Sequence, residues 1–311
     1  MSEFRIEILN KLATESPLEL IKKGEERYHA LIADLADKIA ENKKISIVLL
    51  AGPSGSGKTT SANMLSDAIK ERGRSSMVVS LDDYYRDDDD CDYPLTEDGK
   101  NDHESPDALD IPALVDTLLS VAEGKSFMLP RYDFKTKKRT ALNLHTPIDG
   151  GVIIIEGLHA LNPKIFTLLP EENLIKIFIS VSTNISKNGD IILSGRKMRF
   201  ARRLVRDSLY RNTDARETLA MWMNVLAGED KYLYPTRRYA DVSFDTFHHF
   251  ELGVMRTFIE KFIPDELTEE SPYAKTVKNA FLSAEPIPES MIPESSLIRE
   301  FIPGGKYENL Y

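Results

Sequence analysis

Gly52-Pro53-Ser54-Gly55-Ser56-Gly57-Lys58-Thr59 matches the pattern G-x-x-x-x-G-K-[ST] in full. The apolar run Ile45 to Ala51 leads into it, and a helix-like stretch from Thr60 to Arg72 follows. Strand, loop and helix therefore stand in the order that a phosphate-binding loop requires. Glycines let the backbone wrap an anion with its N–H groups turned inward, where a Cβ would obstruct. Lys58 reaches the β- and γ-phosphates in this arrangement, and the Thr59 hydroxyl faces Mg²⁺. The start of the helix adds partial positive charge under the anion. The expected ATP-binding set is Gly52, Ser54, Gly55, Ser56, Gly57, Lys58, Thr59 and Thr60.

Outward from the loop, Met77 to Leu81 reads as a second strand that runs into Asp82-Asp83-Tyr84-Tyr85-Arg86. Ligands of open α/β sheets sit beyond the carboxyl ends of the strands, so Asp82 emerges where a phosphate acceptor would lie. It has two readings: a base for the acceptor hydroxyl that also helps hold Mg²⁺, or an Asp that caps a turn. Val152 to Glu156 is an apolar strand ending in a carboxylate, and Leu174 to Val181 is a further buried strand. Fully apolar runs are the mark of parallel strands covered on both faces. Glu156 falls where an acid reaches the metal in P-loop enzymes. The fold class expected is α/β, a P-loop kinase fold with a parallel sheet flanked by helices.

Between these strands the chain changes character. Arg86 to His103 is acidic and rich in turn formers, including Asp87 to Asp90 and Asp98-Gly99, and reads as a solvated loop. Ser105 to Asp110 leads into a helix over Ile111 to Val121. Ser126 to Tyr132 and Arg139 to Leu144 form a β-hairpin around the basic turn Lys135 to Lys138. Tyr132 near the bend either stacks on a substrate's base or packs in the core.

Arg196, Arg199, Arg203 and Arg206 are spaced by three, four and three residues, so they share one helix face, with Arg202 beside them. One reading is a solvated charged face. The other is a lid whose guanidinium groups stabilise charge on a transferring phosphoryl group.

Composition narrows the partners. The chain has 311 residues and a net charge of −10, which argues against a nucleic-acid or membrane-surface binder. A single cysteine, Cys91, excludes an internal disulfide and fits a reducing compartment. Met1 to Leu20 lacks the pattern of a signal peptide, and no apolar run nears the roughly 18 residues of a membrane span. The expectation is a cytoplasmic protein. Three segments are expected: a helical arm at 1–44, a catalytic domain at 45–262 and a proline-rich tail at 263–311. Apolar residues of the tail, such as Leu297, Ile298, Phe301 and Ile302, pack either on the body or on a second subunit.

The motifs together resemble the uridine kinase/phosphoribulokinase family. The resemblance is closest to bacterial uridine kinase-like domains that elsewhere follow a threonyl-tRNA-synthetase-like region, whose place is taken here by the short arm. It rests on the phosphate loop, S-L-D-D-Y-Y-R at Ser80 to Arg86, S-P-D-A-L-D at Ser105 to Asp110 and P-R-Y-D-F at Pro130 to Phe134. I-E-G at Ile155 to Gly157, R-R-L-V-R-D at Arg202 to Asp207 and P-T-R-R-Y-A-D-V at Pro235 to Val242 continue it in order.

What the resemblance implies is a catalytic set of Asp82, Lys58, Arg203 and Arg206, with Thr59, Asp82 and Glu156 on the metal. It implies substrate contacts at Asp83, Tyr85, Glu104, Tyr132, Lys137 and Arg206, and ATP contacts at Arg199 and Arg237, the latter in a Tyr234–Asp241 loop bordering adenine. The implied reaction is Mg-ATP-dependent phosphorylation of a small molecule, a nucleoside 5′-hydroxyl first of all. Glu104-Ser105 replaces the family's Asp-His before proline, Lys137 replaces a base-reading His, and Met221 stands near an expected Gln. The phosphotransfer parts are thus intact while the base-reading parts are altered. A sugar phosphate or pantothenate remains as an alternative acceptor, and a nucleotide-binding regulatory module as an alternative class.

Overall fold

The computed structural model describes residues 3–96, 99–146 and 150–310. The chain opens with a short strand, β1 (Glu3–Arg5), and two helices, α1 (Ile6–Glu15) and α2 (Pro17–Glu41). Pro17 begins α2, where its missing N–H has no intrahelical partner to lose. Strand β2 (Ile47–Ala51) enters the phosphate loop, which opens α3 (Lys58–Glu71). Then come β3 (Ser76–Ser80), α4 (Ile111–Ala122), the hairpin β4 (Phe127–Asp133) and β5 (Lys138–His145), β6 (Val152–Glu156), α5 (Pro163–Phe166) and β7 (Leu174–Ser180). The chain continues through β8 (Asn184–Lys187), β9 (Asp190–Leu193), α6 (Gly195–Tyr210), α7 (Ala215–Gly228) and β10 (Val242–Asp245). It closes with α8 (Glu251–Phe262), α9 (Asp265–Glu270) and α10 (Pro272–Leu282).

Five strands form a parallel sheet in the order β10-β7-β2-β6-β3, with the phosphate-loop strand in the middle. Every residue of β2, β6 and β7 is buried, since helices cover both faces. Alternate side chains enter opposite clusters, as the pleat requires. Val48, Leu50, Ile154, Ile177 and Ile179 pack with α2, α3, α6 and α8, while Ile47, Leu49, Ile153, Ile155 and Phe178 pack with α4 and the hairpin. Placing β6 between β2 and β3 brings the carboxyl ends of all three strands to one crevice, the site predicted for a ligand.

Both flanks enter the first of these clusters. Tyr28, Ile32, Leu35 and Ile39 of α2 belong to it, as do Leu297, Ile298, Phe301 and Ile302 of the tail. Of the two places open to the tail's apolar residues, the body is the one they occupy. A small sheet in the order β1-β8-β9 ties the start of the chain to the segment after β7. It has no sequence signal, because three or four residues are too few to show alternation.

The acidic loop is exposed over Asp89 to Asp92, as expected, and is paired with the hairpin as well. Lys137 Nζ bonds Asp88 at 2.8 Å, Lys138 Nζ bonds Asp89 at 2.9 Å, and the Arg139 N–H donates to Asp87 at 2.8 Å. The loop is the counter-ion of the hairpin's basic turn. Glu97 and Asp98 of that loop lie outside the described residues.

Candidate active site

The phosphate loop has the backbone its sequence calls for. Gly55 and Gly57 take φ of +72° and +87°, a region that favours glycine. A Cβ on Gly52 would stand 2.5 Å from the Ile179 carbonyl oxygen, and one on Gly55 would stand 2.6 Å from that of Arg199. Lys58 Nζ donates to the Pro53 carbonyl at 3.3 Å, folded over its own loop. Ser56 Oγ is buried with no hydrogen-bond partner among the described residues. A glycine cradle, a helix N-terminus and a loop-bound lysine fit the oxygens of a triphosphate.

Two arginines of α6 clamp this loop from behind, which corrects the reading of a single exposed stripe. Arg199 and Glu229 form a fully buried pair with 2.8 Å bonds to both carboxylate oxygens. Glu229 also accepts the Ser54 N–H at 2.9 Å, and Arg199 donates to the Ser54 carbonyl at 2.8 Å. Arg199, expected on ATP, is therefore engaged with the loop's backbone. Arg202 pairs with Glu251, equally buried, and reaches the Gly55 carbonyl at 3.3 Å. Removing one partner of such a pair typically costs about 3–5 kcal/mol, so these contacts fix the loop's shape. Met198, Phe200, Ala201, Leu204 and Val205 are buried as well, so α6 is a packed helix rather than an open lid.

The cleft-facing cations are Arg203 and Arg206, joined by Arg211. All three form ion pairs with Asp207, itself only 2 % exposed: Arg203 at 3.2 Å, Arg206 at 2.9 Å and Arg211 at 3.5 Å, with hydrogen bonds from Arg206. Arg203 also donates to Ser54 Oγ at 3.1 Å. One carboxylate holds three guanidinium groups, leaving net positive charge beside the loop. Arg206 pressing on Arg211 lowers the latter's pKa, with desolvation adding to the effect. Arg211 is absent from the sequence-based set because it lies just past the end of α6, outside the three-four-three spacing. The spacing Arg203-x3-Asp207-x3-Arg211 was the available signal.

Strand register brings the carboxylates together. Glu156 lies opposite Leu50 of β2 on one side and Ser80 of β3 on the other, and Asp82 follows Ser80 by two residues. Glu156 Oε1 accepts from Thr59 Oγ1 at 3.4 Å. Burial raises the Glu156 carboxyl to about 7, against the pull of Lys58. The walls of the cleft raise Asp82 as well, opposed by Lys58, Arg211 and Arg206. Since Asp82 is solvent-exposed in the cleft, water offsets part of that desolvation. Thr59, Asp82 and Glu156 supply hard oxygen donors beside the loop, the donor type that Mg²⁺ takes.

On the acceptor side, Tyr85, Tyr132 and Phe134 form an aromatic cluster with ring centroids 5.2–6.3 Å apart. Asp83 holds this wall in place: it accepts the Tyr132 N–H at 3.2 Å and Arg131 Nη1 at 3.1 Å. Its expected substrate contact is thus taken up by the hairpin. Lys137 is likewise engaged by Asp88 at the hairpin tip. Arg237 is exposed and lies over the Phe178 ring at 5.4 Å. Glu104 packs on Gly228 at the end of α7.

His159, which sequence reasoning passed over, sits behind Glu104 with Nε2 3.0 Å from the Glu104 carbonyl oxygen. Burial lowers His159 to about 4, so the ring is neutral, with its proton on Nε2. Its buried Nδ1 is then an acceptor without a partner among the described residues.

The profile of the phosphoribulokinase/uridine kinase family matches residues 47–252. The chain belongs to this family. It is 31 % identical to a uridine kinase of Lactobacillus johnsonii over 204 residues, 65 % of this chain and 87 % of that protein. It is 32 % identical to a uridine kinase of Borrelia duttonii over 227 residues, 71 % of this chain and 97 % of that protein. A solved D-glycerate 3-kinase from Cryptococcus neoformans superposes with a TM-score of 0.46 at 14 % identity, covering 66 % of this chain and 89 % of that one. Among the described residues no helix is long and apolar enough to cross a membrane.

As a member of this family the chain is a phosphotransferase with a hydroxyl acceptor, and Glu104 gives it a measurable pH signature. Burial raises the Glu104 carboxyl from 4.5 to about 7, with Arg203 opposing. The folded chain then holds a proton that the unfolded chain releases. Its stabilising contribution is complete below about pH 4.5 and is lost as pH rises through about 7. Glu104→Gln is expected to flatten the fall in Tm between those two pH values. The check is a pair of thermal-unfolding series against pH, and parallel slopes would contradict the assignment.

Proposed function

We propose that this kinase transfers the γ-phosphoryl group of Mg-ATP to the 5′-hydroxyl of a nucleoside, uridine or cytidine first. The carrying observation is that Asp82 lies within the electrostatic reach of Lys58 and of Tyr85, which clusters with Tyr132 and Phe134, while its neighbour Asp83 bonds the Tyr132 N–H. A flat base stacks on such a wall with about 1–3 kcal/mol per base. A sugar-phosphate acceptor would instead need free cations for its own phosphate. Of the cations around Tyr132, Arg131, Lys137, Lys138 and Arg139 are paired with Asp83, Asp88, Asp89 and Asp110, which leaves Lys135 as the cation of this turn without an ion pair among the described residues.

In this reading the loop backbone and Lys58 orient the triphosphate. Asp82 accepts the proton of the attacking hydroxyl at its carboxylate. Arg203, Arg206 and Arg211 oppose charge on the transferring group, and the Arg199 and Arg202 pairs hold the loop in register with them. Thr59, Asp82 and Glu156 would hold Mg²⁺, which when bound neutralises charge on the β- and γ-oxygens. The test is coupled ADP formation over a panel of nucleosides, sugar phosphates and pantothenate. Acceleration by uridine or cytidine supports the reading, and acceleration only by a sugar phosphate or pantothenate overturns it.

A further inference from the structure

The C-terminal tail touches the phosphate loop at its most sensitive point. Glu300, 4 % exposed, accepts the backbone N–H of Thr60 at 3.2 Å through Oε2. Thr60 is the third residue of α3, so this N–H is one of those a helix start leaves open to an anion. In a phosphate loop those N–H groups cradle the α- and β-phosphates. Leu297 lies against Gly57, where a Cβ would meet its side chain at 2.8 Å, and the Phe301 ring lies 5.1 Å from the Arg202 guanidinium. Residues 297–301 therefore run alongside the loop, and the carboxylate of Glu300 sits on its helix. It is close enough to Glu156 to raise that carboxyl further.

We propose that Glu300 is an internal anion that holds a phosphate seat of the loop in the nucleotide-free enzyme and sets its affinity for ATP. The inference rests on the reading that this loop binds the triphosphate. A phosphate oxygen and the Glu300 carboxylate cannot share the Thr60 N–H, and two anions at that spacing repel each other. Nucleotide binding therefore requires the carboxylate to leave. The rest of the tail is anchored independently: Lys306 and Tyr307 bond Asp67 of α3 at 2.6 and 2.8 Å, and Glu308 accepts from the Tyr210 hydroxyl of α6 at 3.1 Å. Substitution of Glu300 thus leaves the tail its other attachments.

The experiment is calorimetric titration of ATP into the wild type, Glu300→Gln and Glu300→Ala. Glutamine keeps an acceptor oxygen of nearly the same shape and removes the charge. Both variants are expected to lower Kd for ATP by about tenfold or more, while kcat at saturating ATP stays within about twofold. An unchanged or weakened affinity in both would make Glu300 a plain helix cap and overturn the proposal. ATP binding to none of the three proteins would instead sink the phosphate-loop reading, and the proposal with it. In the unsubstituted chain, hydrogen exchange across residues 297–302 should rise on adding ATP as the Thr60 contact is lost. Exchange unaltered by bound ATP would also overturn the proposal, whether or not the variants fold.

Discussion

Asp82→Asn is expected to lower kcat by about a hundredfold or more, the scale on which a positioned general base contributes, with little change in ATP affinity. The amide keeps the size of the side chain and its place after β3, but it cannot take a proton from the acceptor hydroxyl. ATP binding stays because the loop, Lys58 and the N-terminus of α3 are untouched. Asp82 also stands within the influence of Lys58, Arg206 and Arg211, so the amide removes a negative charge that those cations face. Loss of that charge favours phosphate binding, and saturating Mg²⁺ offsets the loss of one oxygen donor to the metal, so the substitution separates the base role from a ground-state role. Steady-state kinetics with both substrates varied is the check. A fall confined to ATP affinity, with kcat intact, would make Asp82 a ground-state contact of Mg-ATP, and unchanged kinetics would return it to the role of a turn cap.

Arg203→Ala and Arg206→Ala should each lower kcat by about a thousandfold, since arginines that meet charge on a transferring phosphoryl group reach that size. Both sit on Asp207, so removing either loosens the cluster as well as deleting a charge. Losses at such coupled positions do not add, and the double variant should fall little further than the worse single one. The split between kcat and KM decides the role. Transition-state contacts depress kcat and kcat/KM together, whereas a ground-state clamp raises KM for ATP alone. Unchanged kinetics in both variants would leave these arginines as a solvated face.

The contrast between these arginines and their neighbours shows what periodicity can and cannot reveal. Spacing places Arg199 on the same face as Arg203, yet a helix turns through enough arc for one to be buried and the other to face the cleft. What separates them is their partners: Glu229 and Glu251 for the buried pair, 30 and 49 residues further along the chain, and Asp207 within α6. Partners at long range leave no local pattern. Lys137 is the same case, because its ion pair with Asp88 spans 49 residues. Glu300 is more extreme, reaching Thr60 across 240 residues.

The loop, the parallel strands and the hairpin were legible because each is a local pattern with a local cause: glycine geometry, continuous burial, and a turn between strand-like runs. The convergence of Glu156 and Asp82 was legible in outline, since carboxyl ends of parallel strands gather at one edge. Their adjacency through Ser80 is a matter of register, which a single sequence does not encode locally.

The most direct test is the product itself. With Mg-ATP and uridine or cytidine, phosphorus NMR should show a nucleoside 5′-monophosphate accumulating in step with ADP, and 5′-deoxyuridine should give none. ADP formation that neither nucleoside accelerates, or phosphate appearing on any other hydroxyl, would contradict the assignment.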